Sequence, residues 1–200
     1  MRRTLAALVA AGLLVLVSGC GGSDAAASFH GNKLDPPFQA SSDSLTDTDG
    51  QPYSLAETPD KPLTLVFFGY THCPDICQAV MSSLASAMTR LDTDDRERVD
   101  VVFVTTDPQR DTQSVLKTYL QHFDPGFIGL TGDIDTIIAV GKPLAVGIEQ
   151  GQKLPSGGYD VTHGTTITGI EDHGVAPVYW DQDTSSAEFA SDIHTLLNEE

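Results

Sequence analysis

Two short runs, Leu63–Gly69 (LTLVFFG) and Val99–Thr105 (VDVVFVT), are almost wholly apolar. A strand open to solvent on one face alternates apolar with polar residues, so these runs predict strands covered on both faces. Between them Ile76, Val80, Leu84, Ala87 and Leu91 recur at spacings of three and four, a helical face that ends in the charged segment Asp92 to Arg98. After the second run, Asp111 or Thr112 offers an N-cap for a helix reaching about His122, with Val115, Leu116, Tyr119 and Leu120 on its apolar side. Asp133 to Val140 predicts another helix, stopped by Gly141 and Pro143. Gly164–Ile170 and Val175–Trp180 read as strands of a hairpin across Asp172-His173-Gly174, and a last helix runs from about Ala187 to Asn198. Upstream, apolar positions flank Asp49-Gly50 within Ser44 to Leu55, the signal of a hairpin near the start of the domain. Strands alternating with helices, then an antiparallel pair and a closing helix, specify an α/β fold: a mixed central sheet with helices on both faces and an N-terminal hairpin. That order is what a thioredoxin-like domain would give.

The N-terminus departs from this pattern. Arg2 and Arg3 precede an apolar run from Leu5 to Val17, too short to span a bilayer, and Val17-Ser18-Gly19-Cys20 follows. This reads as a signal peptide over 1–19 whose end matches the bacterial lipobox, in which the cysteine is lipidated and begins the mature chain; the bland alternative is an ordinary signal with a chance cysteine. Residues 20–35 are then lipidated Cys20 and a small, polar tether, and 36–200 form the domain. The expected location is the extracytoplasmic face of the cell membrane, held by lipid. Of the three cysteines this leaves one pair, Cys73 and Cys77, in a compartment where thiols tend to oxidise.

Charge narrows the partners. The chain carries a formal −17, and losing the two cations Arg2 and Arg3 takes it to −19. Nucleic acid and anionic headgroups are poor partners for such a surface, so lipid rather than a basic patch must hold the protein at the membrane.

The remaining pair stands in GYTHCPDICQAV (69–80), with three residues between the sulfurs where most dithiol redox motifs have two. A structural staple is a poor explanation, because so short a loop removes little unfolded-state entropy. Pro74 suits the first position of a helix, which makes Cys73 roughly the N-cap, where helix N–H groups and the dipole favour a thiolate. Cys77 lies one turn further on, with Cβ atoms about 5–6 Å from Cys73 if both are helical. That is wide for a disulfide unless the first turn deforms, and comfortable for two thiolates on one metal at bonds of about 2.3 Å. The spacing fits both chemistries.

Two thiolates on a metal want a further ligand, and there are six histidines. His30 falls in the tether, His194 on the last helix, His122 at a helix C-terminus and His173 at a hairpin tip; each reads as solvated or locally bonded. His72 adjoins Cys73 but points away if strand geometry persists. His163 differs, because it stands where a Gly-rich loop (154–158) turns into a strand expected beside the first one, above the cysteine-bearing helix. Spacing alone leaves ligand and bystander about equal for it.

These residues resemble a known family. Gly69-Tyr70-Thr71-His72-Cys73-Pro74-Asp75-Ile76-Cys77 is similar to the signature of the Sco/SenC proteins, membrane-anchored thioredoxin-fold proteins that assemble the copper A centre of cytochrome c oxidase. Thr106-Asp107-Pro108-Gln109-Arg110-Asp111-Thr112, Gly129-Leu130-Thr131-Gly132 and Tyr159-Asp160-Val161-Thr162-His163 extend the resemblance in the family's order. It implies copper as Cu(I) and Cu(II), held by Cys73, Cys77 and His163, and cytochrome c oxidase subunit II as partner, with a copper-donor chaperone and a thiol reductant as further partners such a role admits. Ligand chemistry agrees, since thiolates suit Cu(I) and imidazole suits both states. Gln78 and the His163-Gly164-Thr165-Thr166 segment depart from the family pattern without removing a ligand. Asp107, Arg110 and Asp111 are expected to order the neighbouring loop. A thiol-disulfide oxidoreductase without copper, with Cys73 attacking and Cys77 resolving, is the alternative. A Cys2His zinc site is a third chemistry the donors permit.

Overall fold

The structure, a computed structural model, describes residues 28–153 and 159–198, with 150–153 and 159–163 described as backbone. The signal segment, Cys20, most of the tether and the Gly-rich loop 154–158 therefore lie outside the described residues.

The two apolar runs are the centre of the sheet. β4 (Leu63–Gly69) is buried at every position and pairs in parallel with β5 (Val99–Thr105) from Leu63 opposite Val99 to Gly69 opposite Thr105. Eight strands run in the order β1-β10-β9-β4-β5-β6-β2-β3, where β1 is Asn32–Gln39, β2 Ser44–Asp47, β3 Pro52–Ser54, β6 Ile128–Thr131, β9 Ile167–Ile170 and β10 Val175–Trp180. Because strand side chains alternate, β4 feeds two cores at once. Leu63, Leu65 and Phe67 join the core under α1 (Ile76–Arg90) and α5 (Ser186–Asn198), while Val66 and Phe68 join the core under α4 (Ile134–Gly141). A separate two-stranded ribbon, β7 (Ile148–Lys153) with β8 (Tyr159–His163), follows α4.

The predicted hairpin is β2–β3, turned by Gly50 at φ 80°, a left-handed conformation that glycine adopts freely. α3 (Gln113–Gln121) starts at Thr112, whose hydroxyl accepts from the N–H of Val115, and buries Leu116 and Leu120. β9 lies antiparallel beside β4, with Ile167 opposite Phe67. On α1 the buried stripe is Cys77, Val80, Met81, Leu84, Ala87 and Met88; Ile76 and Leu91 are only half-buried, so Cys77 takes the first apolar place on that face.

Four elements differ from the sequence reading. Asp92 caps a short helix, α2 (Thr93–Glu97), inside the segment read as charged helix end. β6 is only four residues long, too short for its period to stand out. β7 is a strand that the pattern did not signal. β1 begins at Asn32, ahead of the domain start placed at 36, and its two prolines are tolerated because it is an edge strand paired with β10 alone. The chain is fastened even before β1: Asp192, 1% exposed, accepts from the backbone N–H of His30 (3.0 Å), the N–H of Gly31 (2.7 Å) and the indole N–H of Trp180 (2.8 Å). Among the described residues no helix is long and apolar enough to cross a membrane.

Candidate metal centre

At the end of β4 the chain leaves the sheet through Gly69 and Tyr70 and makes a tight turn, in which the N–H of Cys73 donates to the Tyr70 carbonyl at 3.1 Å. α1 begins only at Ile76, with Asp75 as its N-cap, so Cys73 is not the cap that Pro74 suggested. The residue before a proline is disfavoured in the helical region, and Asp75 itself has φ −144° and ψ −82°, so helix formation waits two residues. The chemical consequence survives the correction. The N–H of Cys77, in the first turn of the helix, donates to Cys73 Sγ at 3.5 Å.

Both cysteines are thiols, with no disulfide joining them. Cys73 is 9% exposed and Cys77 fully buried, which makes Cys73 the outer and Cys77 the inner sulfur. Burial first, and then its hydrogen bond with Cys73, pushes the Cys77 thiol above the usual range, while a backbone hydrogen bond from Tyr70 works the other way. Gly69 makes the seat for Cys77. A Cβ there would stand 2.9 Å from Cys77 Sγ and 2.9 Å from the Phe103 ring, so only glycine lets the sulfur rest on the strand end. Because Cys73 already lies outside the helix, the pair does not need the first turn to unwind before the sulfurs meet.

The loop that carries them is held from behind by Asp111, a fully buried carboxylate. It accepts from the N–H of Thr71 (2.9 Å), the hydroxyl of Thr71 (2.6 Å) and the hydroxyl of Thr105 (2.7 Å). Asp107, also buried, pairs with Arg110, whose guanidinium stands 5.9 Å from the centre of the Tyr70 ring. These three charged residues order the loop, as the sequence suggested. Sequence reading passed over Gly69, Thr71 and Thr105; a glycine closing an apolar strand just before a cysteine motif is the signal that a close approach was needed there.

His163 is placed by its backbone as the last residue of β8, opposite Ile148. The N–H of the next residue, Gly164, donates to the Gly147 carbonyl, and the chain then enters β9 at the β4 end from which the cysteine loop leaves. The other histidines bond other groups or lie exposed. His122 Nδ1 bonds the Thr118 carbonyl (2.7 Å), and His194 Nδ1 lies 2.5 Å from Asp95 Oδ2. His173 sits in a left-handed turn at φ 59°, and His72 is exposed, with Nδ1 3.0 Å from the Thr71 hydroxyl. His30 is held by Asp192 rather than loose in a tether.

The arrangement offers two soft thiols, one outer and one inner, backed by a rigid loop. Such donors suit a thiophilic metal or reversible disulfide formation.

The chain is similar in sequence and fold to known proteins. The sequence profile of the SCO1/SenC family matches residues 31–198. The protein SCO2, mitochondrial, of Saccharomyces cerevisiae is 39% identical over 102 residues, covering 51% of this chain and 34% of that one. The chain covers 57%, 34% and 48% of the length of three curated relatives it matches. The solution structure of apo Sco1 from Thermus thermophilus superposes with a TM-score of 0.75 at 30% identity, covering 84% of this chain and 97% of that one. The copper-bound ScoI structure of Bradyrhizobium japonicum gives 0.67 at 30% identity, covering 80% and 97%. With the profile running through almost the whole described domain, the chain belongs to the SCO1/SenC family.

Proposed function

We propose that the protein is an extracytoplasmic copper metallochaperone, tethered to the membrane by lipid on Cys20, that delivers copper to the copper A site of cytochrome c oxidase subunit II. Cys73, Cys77 and His163 hold the ion as cargo. The observation that carries this reading is the pair itself: an outer and an inner thiol at the end of the central strand, in a chain similar to a protein solved with copper bound. Two thiolates and an imidazole give Cu(I) its preferred soft donors and still accept Cu(II). A three-ligand site also leaves room for an incoming thiolate of the target before the last bond breaks, so transfer needs no free ion.

The course of the chain supports delivery at a membrane surface. Asn32 is aligned with Val66 across the sheet through Tyr179 and Thr168. Moving back from Asn32 toward Ser28 therefore leads to the same sheet end as the cysteine loop, three inter-strand spacings away, or roughly 14 Å. The Asp192 clamp fixes that exit. The eight peptide steps from Cys20 to Ser28 span at most about 30 Å, so a lipid on Cys20 would keep the cysteine loop close to the bilayer.

A second reading, thiol-disulfide exchange, is favoured by the hydrogen bond between the two cysteines. The Cys73 thiolate would attack a target disulfide, and Cys77 would then displace the target's sulfur, giving a Cys73–Cys77 disulfide and two reduced target thiols. Both readings can serve one target, because its cysteines must be reduced before copper enters. A strain lacking the protein tests the assembly role: low oxidase activity restored by added copper is expected, and normal activity at limiting copper would contradict it.

A further inference from the structure

An open groove of about 490 Å³ lies between the turn leading into Cys73 and α3, lined by Thr71, His72, Thr118, Tyr119 and His122 among others. The described residues that line it include no carboxylate and no thiol, so its two imidazoles are its strongest metal donors. Hydrogen bonds behind each ring decide which nitrogen faces outward with a lone pair. Asp111, as a carboxylate, only accepts, so the single hydroxyl proton of Thr71 goes to its Oδ1 at 2.6 Å. The Thr71 oxygen is left to accept from His72 Nδ1 at 3.0 Å, and Asp111 Oδ1, 3.7 Å from that nitrogen, favours a proton there as well. His72 therefore carries its proton on Nδ1 and its lone pair on Nε2. His122 reaches the same state by another route. The Thr118 carbonyl can only accept, so the 2.7 Å contact makes Nδ1 the donor and leaves the lone pair on Nε2. Among the described residues neither Nε2 has a partner. An imidazole whose Nδ1–H is tied to oxygen while Nε2 stays open has the set of a metal-binding histidine, and here two of them share one groove. His72 directly precedes Cys73, and the chain's formal charge of −17 draws cations toward it.

We propose that His72 and His122 form a second, weaker metal site beside the thiol pair, a loading position that catches Cu(II) through their Nε2 atoms, with water completing the shell. Nitrogen donors without thiolate suit a borderline divalent ion, whereas the sulfurs beyond them hold copper in both oxidation states. Passage to the pair is ligand exchange: Cys73 gives its proton to water as the sulfur–copper bond forms, the bond to imidazole breaks, and no electron moves. The destination of the ion rests on the metal-binding reading of the pair; the histidine site itself does not.

Cys73→Ser/Cys77→Ser/His163→Ala removes the main site and leaves the groove. Titrated with Cu(II), it should bind one equivalent, with hyperfine coupling to two imidazole nitrogens in its electron paramagnetic resonance spectrum. Adding His72→Ala or His122→Ala should weaken that binding by about 10–100-fold or more, since losing even a supporting group costs a metal site that much. Coupling to a single nitrogen, or binding that either substitution leaves unaltered, would overturn the proposal. Stopped-flow mixing of Cu(II) with the reduced protein, its thiols intact, gives a second reading. In His122→Gln the sulfur-to-copper charge-transfer band should grow roughly tenfold more slowly than in wild type, the low end of what local ion capture adds to an on-rate. An unchanged rate would overturn the loading role. If wild type developed no such band, the metal reading of the thiols would fall, while the resonance spectrum of the thiol-free variant would still decide the histidine site.

Discussion

Gly69→Ala is the smallest change that tests how Cys77 is seated. The added methyl would lie 2.9 Å from Cys77 Sγ and 2.9 and 3.1 Å from two atoms of the Phe103 ring. Carbon contacts are optimal at about 3.5–4.0 Å, so both neighbours must retreat by roughly 0.5–1 Å. Neither has room, because Cys77 and Phe103 are fully buried in the same core. Overpacking of this kind costs about 1–3 kcal/mol, or roughly 2–12 °C in melting temperature for a chain of this length. Shifting a ligand sulfur in addition should weaken copper binding by about 10–100-fold, as losing the support of a metal ligand does. Urea unfolding of the metal-free protein and a copper titration read the two effects separately. Gly147→Ala is the control, since a Cβ there meets nothing within 4 Å and its stability should match wild type within about 0.5 kcal/mol. If Gly69→Ala were as stable as that control and bound copper with wild-type affinity, the close seating of Cys77 against the strand end would be wrong.

Other outcomes follow from the same contacts. Asp111→Ala strands the donors of Thr71 and Thr105 in a buried site and should lower stability by about 2–3 kcal/mol in urea unfolding, with faster hydrogen exchange at Thr71. Asp192→Ala removes the acceptor of the indole N–H of Trp180, the chain's one tryptophan, so its fluorescence should change and limited proteolysis should release the segment before β1; an unaltered spectrum and cleavage pattern would refute the clamp. Copper affinity should rise with pH: the raised Cys77 thiol keeps its proton at neutral pH and must release it on binding, giving about tenfold tighter binding per pH unit for each proton lost. Burial pushes Asp95 up, but hydrogen bonds from His194 and Asn198 outweigh it and hold the carboxyl below its ordinary range. A depressed carboxylate stabilises the fold above its unfolded pKa and loses that contribution as pH falls through the folded one. The stability gap between wild type and Asp95→Asn should therefore be full at neutral pH and close in acid, as urea midpoints measured across pH will show.

The sequence was most legible where side chains are dictated by burial. Leu63–Gly69 and Val99–Thr105 are read to the residue because strands covered on both faces leave few positions for a polar side chain, and the runs stand out as almost wholly apolar. The cysteine pair was equally plain, since its spacing and its following helix are local facts. β1, β6 and β7 were not seen, because pairing to a distant partner, rather than their own pattern, makes them strands. The N-cap was misplaced for a related reason: Pro74 fits a helix start, but the Tyr70–Cys73 turn, tied to Asp111 from another loop, delays the helix. His30 was assigned to a tether on composition, yet a single buried carboxylate on the last helix draws that segment onto the sheet. Tyr119 could be read from the sequence as part of an apolar helix face; that its hydroxyl is buried without a partner among the described residues is visible only in three dimensions.

The central claim is that Cys73, Cys77 and His163 act as one metal site. Cu(II) titration of the reduced protein, followed by absorption, tests it most directly. Wild type should develop sulfur-to-copper charge transfer at one equivalent, Cys73→Ser/Cys77→Ser should lose it, and His163→Ala should bind more weakly with a shifted band. A His163→Ala protein with the wild-type affinity and spectrum would contradict the three-ligand account.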